Sequence, residues 1–159
     1  MRIAVLGIFF LAIFIQITIL DTVQLFGIKP DLVFILVIFY AFLRGQREGA
    51  FWGFLAGFLK DVATGSYFGL NALDHLAAGY LAGLIQTALY KDNPFVVSLV
   101  TALVCFVNGL IHYLLLFYLG IFISPWIAVF KIALSASGYN AIVALFLYRW
   151  FFRSYTRAY

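Results

Sequence analysis

No charged side chain occurs between Asp92 and Lys131, and the intervening residues are almost wholly apolar. A helix crosses the roughly 30 Å of bilayer hydrocarbon with about 20 such residues. The uncharged run is too long for one crossing and cannot be a loop in water, because a loop of this composition would expose a large apolar surface. Gly120 and Ser124-Pro125 supply the break that divides it into two spans. That arrangement commits the chain to a membrane. The remaining composition agrees: 66% of the residues are apolar and only 10% charged, against roughly a quarter charged in a soluble domain.

Reading outward from that run gives six transmembrane helices at about 2–21, 30–43, 49–63, 70–90, 94–119 and 125–150, with a basic tail over 151–159. Together they form a single all-α, polytopic membrane domain over 1–159. Breaks fall at Gly27-Ile28-Lys29-Pro30, Arg44-Gly45-Gln46-Arg47-Glu48, Thr64-Gly65-Ser66 and Lys91-Asp92-Asn93. The three prolines each sit at a proposed helix start. Asn93-Pro94 and Ser124-Pro125 read as an N-cap followed by proline at the first helical position. Asn71 with Asp74 reads as a weaker capping pair. The stretch from Ile3 to Leu20 is longer than the apolar core of a secretory signal and lacks a small-x-small cleavage site, so it is read as a retained span.

Lysine and arginine set the orientation. With the N-terminus inside, Arg2, Arg44, Arg47, Lys91, Arg149, Arg153 and Arg157 fall on the cytoplasmic side, and Lys29, Lys60 and Lys131 on the other. Both termini are therefore expected in the cytoplasm. Tyr40, Tyr90, Tyr148 and Trp150 form an inner aromatic belt, and Tyr67, Tyr118 and Trp126 an outer one. The net charge of +4 thus expresses topology and gives no nucleic-acid face. A re-entrant hairpin made of the short second and third segments is the costlier alternative. It would bury Arg44, Arg47 and Glu48 near the membrane centre, at several kcal/mol for each unpaired charge.

Three groups of residues stand out within the spans. Gly49, Gly53 and Gly57 repeat every fourth residue on one helix face, as do Gly79 and Gly83 on the next span. Such faces let helix backbones approach closely, either within this bundle or as a docking groove for a partner's membrane helix. Lys60 and Asp61 lie roughly 18 Å past the inner end of their helix, with Lys131, Asp74 and His75 at similar depth as possible partners. Ionisable groups at membrane depth are functional candidates. Asn108 and His112 share a face of the fifth span, and Gln86 is a further polar residue expected mid-membrane. With Asn71, these make a polar membrane cluster that suits interhelical hydrogen bonding or a ligand pocket.

Catalysis and metal binding find no support. Gly65-Ser66-Tyr67-Phe68-Gly69 lacks the order of a nucleophile elbow. No H-E-x-x-H, phosphate-binding loop or Cys/His cluster occurs, and Cys105 has no second cysteine to pair with. No enzyme activity, cofactor or metal is expected.

Pro30-Asp31-Leu32, an apolar run, Arg44-Gly45, the helix Gly53-Phe54-Leu55-Ala56-Gly57-Phe58-Leu59, then Asp61, Gly65-Ser66 and Gly69-Leu70-Asn71-Ala72-Leu73 follow one another in a specific order. This block resembles the rod shape-determining protein MreD family, as do the length and the basic C-terminus. The resemblance implies a non-enzymatic scaffold in the bacterial cytoplasmic membrane, working in cell elongation and peptidoglycan synthesis. Its implied partners are the single-span protein MreC and a wall-synthesis complex of RodA, its transpeptidase and MreB. It also implies a fold resembling the substrate-binding component of energy-coupling-factor transporters. That likeness makes a small-solute-binding subunit the rival expectation, with a pocket near Asp61, Asn71, Asp74, His75 or Asn108.

Overall fold

A computed structural model describes the backbone of residues 2–20, 29–65, 67–89, 91 and 93–158. Asp21, Gly27, Ile28, Ser66, Tyr90 and Asp92 lie outside the described residues, as do the side chains of Arg2, Lys131 and Arg157. Among the described residues there are helices and no strands: α1 (Arg2–Ile15), α2 (Leu32–Arg44), α3 (Gln46–Thr64), α4 (Leu70–Ile85), α5 (Pro94–Tyr118) and α6 (Ser135–Ala158). Widened π-helical turns extend α1 over Gln16–Leu20 and precede α6 over Ile127–Leu134, and a 3₁₀ turn over Gln86–Ala88 closes α4.

Two helical stretches, Pro94–Tyr118 and Ile127–Arg153, are long and apolar enough to cross a membrane. The break between them falls where the sequence placed it, with Gly120 in the left-handed region at φ 80°. Asn93 caps α5 by accepting from the Phe95 N–H at 2.9 Å, with Pro94 in the first turn.

The 13-residue α2 is only about 20 Å long, yet it is the centre of the bundle. It packs against α1, α3, α4, α5 and α6, and nine of its residues are buried. Its Phe39 meets the rings of Tyr148 and Phe151 at 4.9 and 5.4 Å. A helix enclosed by protein on all sides has its polar ends covered by neighbours, which relieves a short apolar segment of matching the full bilayer thickness.

The third helix begins earlier than expected. Gln46, Arg47 and Glu48, assigned to a loop from their polarity, form its first turn, and Gly45 alone separates α2 from α3. Gly45 sits at φ 97°, a conformation that a side chain disfavours. Tyr40 in α2 donates from its hydroxyl to the Glu48 carboxylate at 2.9 Å across this turn.

The glycine faces of α3 and α4 are pressed against each other. A Cβ at Gly53 would lie 2.2 Å from the His75 carbonyl oxygen, and one at Gly57 2.2 Å from that of Asn71. Reciprocally, a Cβ at Gly79 would meet the Gly49 carbonyl oxygen at 2.1 Å, and one at Gly83 the Gln46 backbone at 2.4 Å. Of the two readings left open by the sequence, internal packing is what occurs. The groove expected for a partner helix at Gly49, Gly53, Gly57, Gly79 and Gly83 is filled from within the chain.

Candidate functional site

The polar side chains gather at one end of the bundle, where α1 and α3 finish and α2 and α4 begin. Asp31 is the N-cap of α2, its Oδ1 accepting from the Phe34 N–H at 3.0 Å. Its Oδ2 is ion-paired with Lys60 near the end of α3. The Asp31 backbone N–H donates to Asn140 Oδ1 on α6 at 3.0 Å, and Gln16 beyond α1 accepts from the Val33 N–H at 3.1 Å. Asp31 at the head of the central helix therefore links α2, α3 and α6, its carboxylate to Lys60 and its backbone N–H to Asn140, with Gln16 holding α1 alongside.

Asp61, the neighbour of Lys60, does different work. It is fully buried and accepts from the Gly69 N–H at 2.9 Å, the Asn71 N–H at 3.2 Å, Asn71 Nδ2 at 2.8 Å and the Ala72 N–H at 3.2 Å. The first N–H groups of a helix lack intrahelical partners, and Gly69, the N-cap of α4, has no side chain to satisfy them. Asp61 supplies the missing cap from the preceding helix. Its negative charge lies at the positive end of the α4 dipole.

The expectation that Asn71 and Asp74 form a local capping pair is thus corrected, since Gly69 occupies the cap position and Asp61 provides the acceptor. Asp74 is instead hydrogen-bonded through its carboxylate to His112 Nδ1 on α5. His75 lies against Asn71, with Nδ1 2.8 Å from the Asn71 carbonyl oxygen, and Nε2 stands 4.0 Å from Asp31 Oδ2. A carbonyl can only accept, so Nδ1 carries the proton. Nε2 faces the Lys60–Asp31 pair.

Most of the expected polar cluster is therefore brought together. Lys60 meets Asp31 at the head of α2, Asn71 meets Asp61 and His75, and Asp74 meets His112, whereas Asn108 is buried without a hydrogen bond to any of them among the described contacts. The pairing differs from expectation in two respects. The partner of Lys60 is Asp31, which the sequence offered only as part of a Pro-Asp-Leu motif. Gln86 lies at the opposite end of the bundle from this cluster, its Nε2 against Gly45 in the α2–α3 turn. Asn108 is buried with its Oδ1 unbonded, as are Asp74 Oδ1 and His75 Nε2.

Gln16 and Asn140 are members that sequence reasoning missed. Both were legible only as polar interruptions of apolar spans. Asn140 also places its Nδ2 3.5 Å from Cys105 Sγ, which holds the buried thiol as a packing group. Among the described residues no group of three or more His, Cys, Asp or Glu side chains is placed to hold a metal ion.

What the cluster does chemically is fasten helices. Each ion pair and each multiple acceptor bridges two or three elements, and the motif block quoted from the sequence is distributed over these joints. The family of the rod shape-determining protein MreD matches residues 1–158. The chain belongs to the MreD family. Neither a curated protein nor a solved structure gives a match. Membership makes this a bacterial membrane protein of the rod shape-determining system. Pro30-Asp31, Asp61 and the Gly69-Leu70-Asn71-Ala72 turn of this MreD-family chain are the cap, ion pair and acceptor that set α2, α3 and α4 in register.

Proposed function

We propose that this MreD-family chain is a non-enzymatic scaffold of the cell-elongation complex, holding a single-span MreC-type partner against its membrane helices and, through it, the RodA, transpeptidase and MreB machinery. The observation that carries this reading is the inward use of the polar cluster. Asp61, Asn71, Asp74 and His75 bond to one another, to backbone or to His112, and Asp61, Asp74, His75 and Asn108 are buried. A solute-binding subunit of an energy-coupling-factor-type transporter, the rival reading, needs these groups to converge on an open pocket. Groups committed to bracing helices favour a rigid body that presents its outer surface.

Six crossings with both termini in the cytoplasm accompany this reading. In support, the α2–α3 turn lies level with the α4–α5 connection. Lys91 donates to the Leu43 carbonyl at 3.4 Å, and Tyr148 near the end of α6 donates to the Lys91 carbonyl at 2.8 Å. A hairpin turning back at the membrane centre would not meet those groups.

The test is purification of the full chain from its native membrane in mild detergent, with identification of the proteins that accompany it. A single-span coiled-coil protein with a periplasmic domain at near-equal amount is the expected result. Recovery of a transporter's nucleotide-binding module instead would establish the rival.

A further inference from the structure

One carboxylate of the polar cluster is not fully used. Asp31 is paired with Lys60, and Asp61 accepts four hydrogen bonds. Asp74 meets only His112, through Oδ2, while its Oδ1 is buried and unbonded. No lysine or arginine is paired with Asp74 among the described residues. On α5, Asn108 stands four residues before His112 and so shares the helix face that meets Asp74. Asn108 is only 5% exposed, and its Oδ1 has no donor either. A buried acceptor left unbonded is costly, and more so in hydrocarbon. Two of them flank the same α4–α5 seam.

The donor set defines what this seam takes. Both orphaned atoms are oxygens, one of a carboxylate and one of an amide, which suits a hard cation. His112 Nδ1 is committed to Asp74 Oδ2 and orients the carboxylate, as outer-shell partners do. The carboxylate brings one negative charge. A monovalent cation cancels it, whereas a divalent one would leave net charge in a low-dielectric interior. The depth makes that balance matter. His112 lies about 9 Å and Asn108 about 15 Å from the Tyr118 end of α5, at a level where an uncompensated carboxylate is disfavoured. The His112 side chain is 34% exposed and that of Asp74 6%, so the imidazole forms the mouth and the oxygens lie behind it.

We propose that Asp74 and Asn108 form a seat for one alkali cation, held between Asp74 Oδ1 and Asn108 Oδ1, with water entering past His112 to complete its shell. The cation ties α4 to α5, which share no other side-chain hydrogen bond than Asp74–His112 among the described contacts. The seat lies within the bundle, and its test needs no partner.

Thermal unfolding of the full chain in mild detergent reads the site, in sodium, potassium or choline chloride at equal ionic strength. A ligand of the folded state raises the midpoint with its concentration. Sodium or potassium is expected to raise it by about 3 °C over choline, at roughly tenfold above half-saturation. Asn108→Leu removes one oxygen and leaves the Asp74–His112 bond in place. Asp74→Asn removes the charge and keeps an amide oxygen for His112. Both variants are expected to lose the alkali-dependent shift, and Gly138→Ala, in open space on α6, to retain it. Equal midpoints in all three salts would leave the seam to water alone. A midpoint that follows pH and not the cation would put a proton on Asp74. Either result, or a shift that survives in either seam variant, overturns the proposal.

Discussion

At Asp61 the chain concentrates four hydrogen bonds on one carboxylate that water does not reach. An ordinary N-cap contributes about 1 kcal/mol, but here removal leaves several buried N–H groups without acceptors, each costing about 1–3 kcal/mol. Asp61→Ala is expected to destabilise the protein by about 2–4 kcal/mol, read as a lowered midpoint of unfolding in mixed detergent micelles. Asp61→Asn keeps one acceptor oxygen and should lose about half as much; a melting curve unchanged in both would show that α4 is capped by something else. The Lys60–Asp31 pair gives a different signature. Lys60→Met leaves a partly buried carboxylate uncompensated, at about 3 kcal/mol. Adding Asp31→Asn removes the orphaned charge while preserving the cap, because asparagine caps as well as aspartate. The double variant should therefore be more stable than Lys60→Met alone, and a simple sum of two losses would contradict the pairing. Neither joint was legible as a joint in the sequence. Lys60 and Asp61 were visible as ionisable groups at depth, but their partners Asp31 and Gly69-Asn71 lie across turns whose geometry no local pattern encodes.

Helices were the easier scale to read, since apolar length and proline position follow directly from bilayer thickness and N-terminal capping. The Asn93-Pro94 start and the Gly120 break appear where the sequence puts them. What it could not supply is which face meets which. The glycine ladder of α3 is equally suited to a foreign helix and to α4, and only the fold shows α4 lying in it. Polarity also misled at Gln46-Arg47-Glu48, because a one-residue turn at Gly45 suffices to reverse the chain and the polar residues then open α3. The close crossing makes a sharp prediction. Gly53→Ala puts a Cβ 2.2 Å from the His75 carbonyl oxygen, a contact that must force α3 and α4 apart, at a cost of about 2 kcal/mol or more by analogy with overpacked cores. Gly138→Ala, in α6 with nothing within 4 Å of the new methyl group, should instead gain about 0.5–1 kcal/mol from helix propensity. Thermal melts of the two purified variants check the contrast. Equal stability of both would mean that α3 and α4 do not cross as closely as the structure has them.

For the molecule as a whole, the bundle has two chemically distinct ends, and their assignment to the two sides of the membrane can be measured. One end carries the α2–α3 turn with exposed Arg47, and Arg153 lies exposed beyond Tyr148 on α6. The other carries Tyr67 and Phe122, 58% and 78% exposed in the connections that follow α3 and α5. From the excess of lysine and arginine we propose that the first end faces the cytoplasm. Single cysteines at these four positions, in a Cys105→Ala background, report the side through a membrane-impermeant maleimide. The native thiol is buried and would stay silent in any case. Tyr67→Cys and Phe122→Cys should react in intact cells, and Arg47→Cys and Arg153→Cys only after permeabilisation. The Arg47 position is the discriminating one. A re-entrant hairpin would hold it near the membrane centre, unreactive from either side, whereas two full crossings deliver it to cytoplasmic water. Its reactivity after permeabilisation also fixes where the polar cluster lies. With Arg47 inside, the antiparallel course of α2 and α3 carries Asp31, Lys60 and Asp61 to the periplasmic half of the bilayer. The helix-fastening contacts would then stand on the side where the wall is built, which is where the proposed partner with a periplasmic domain would approach.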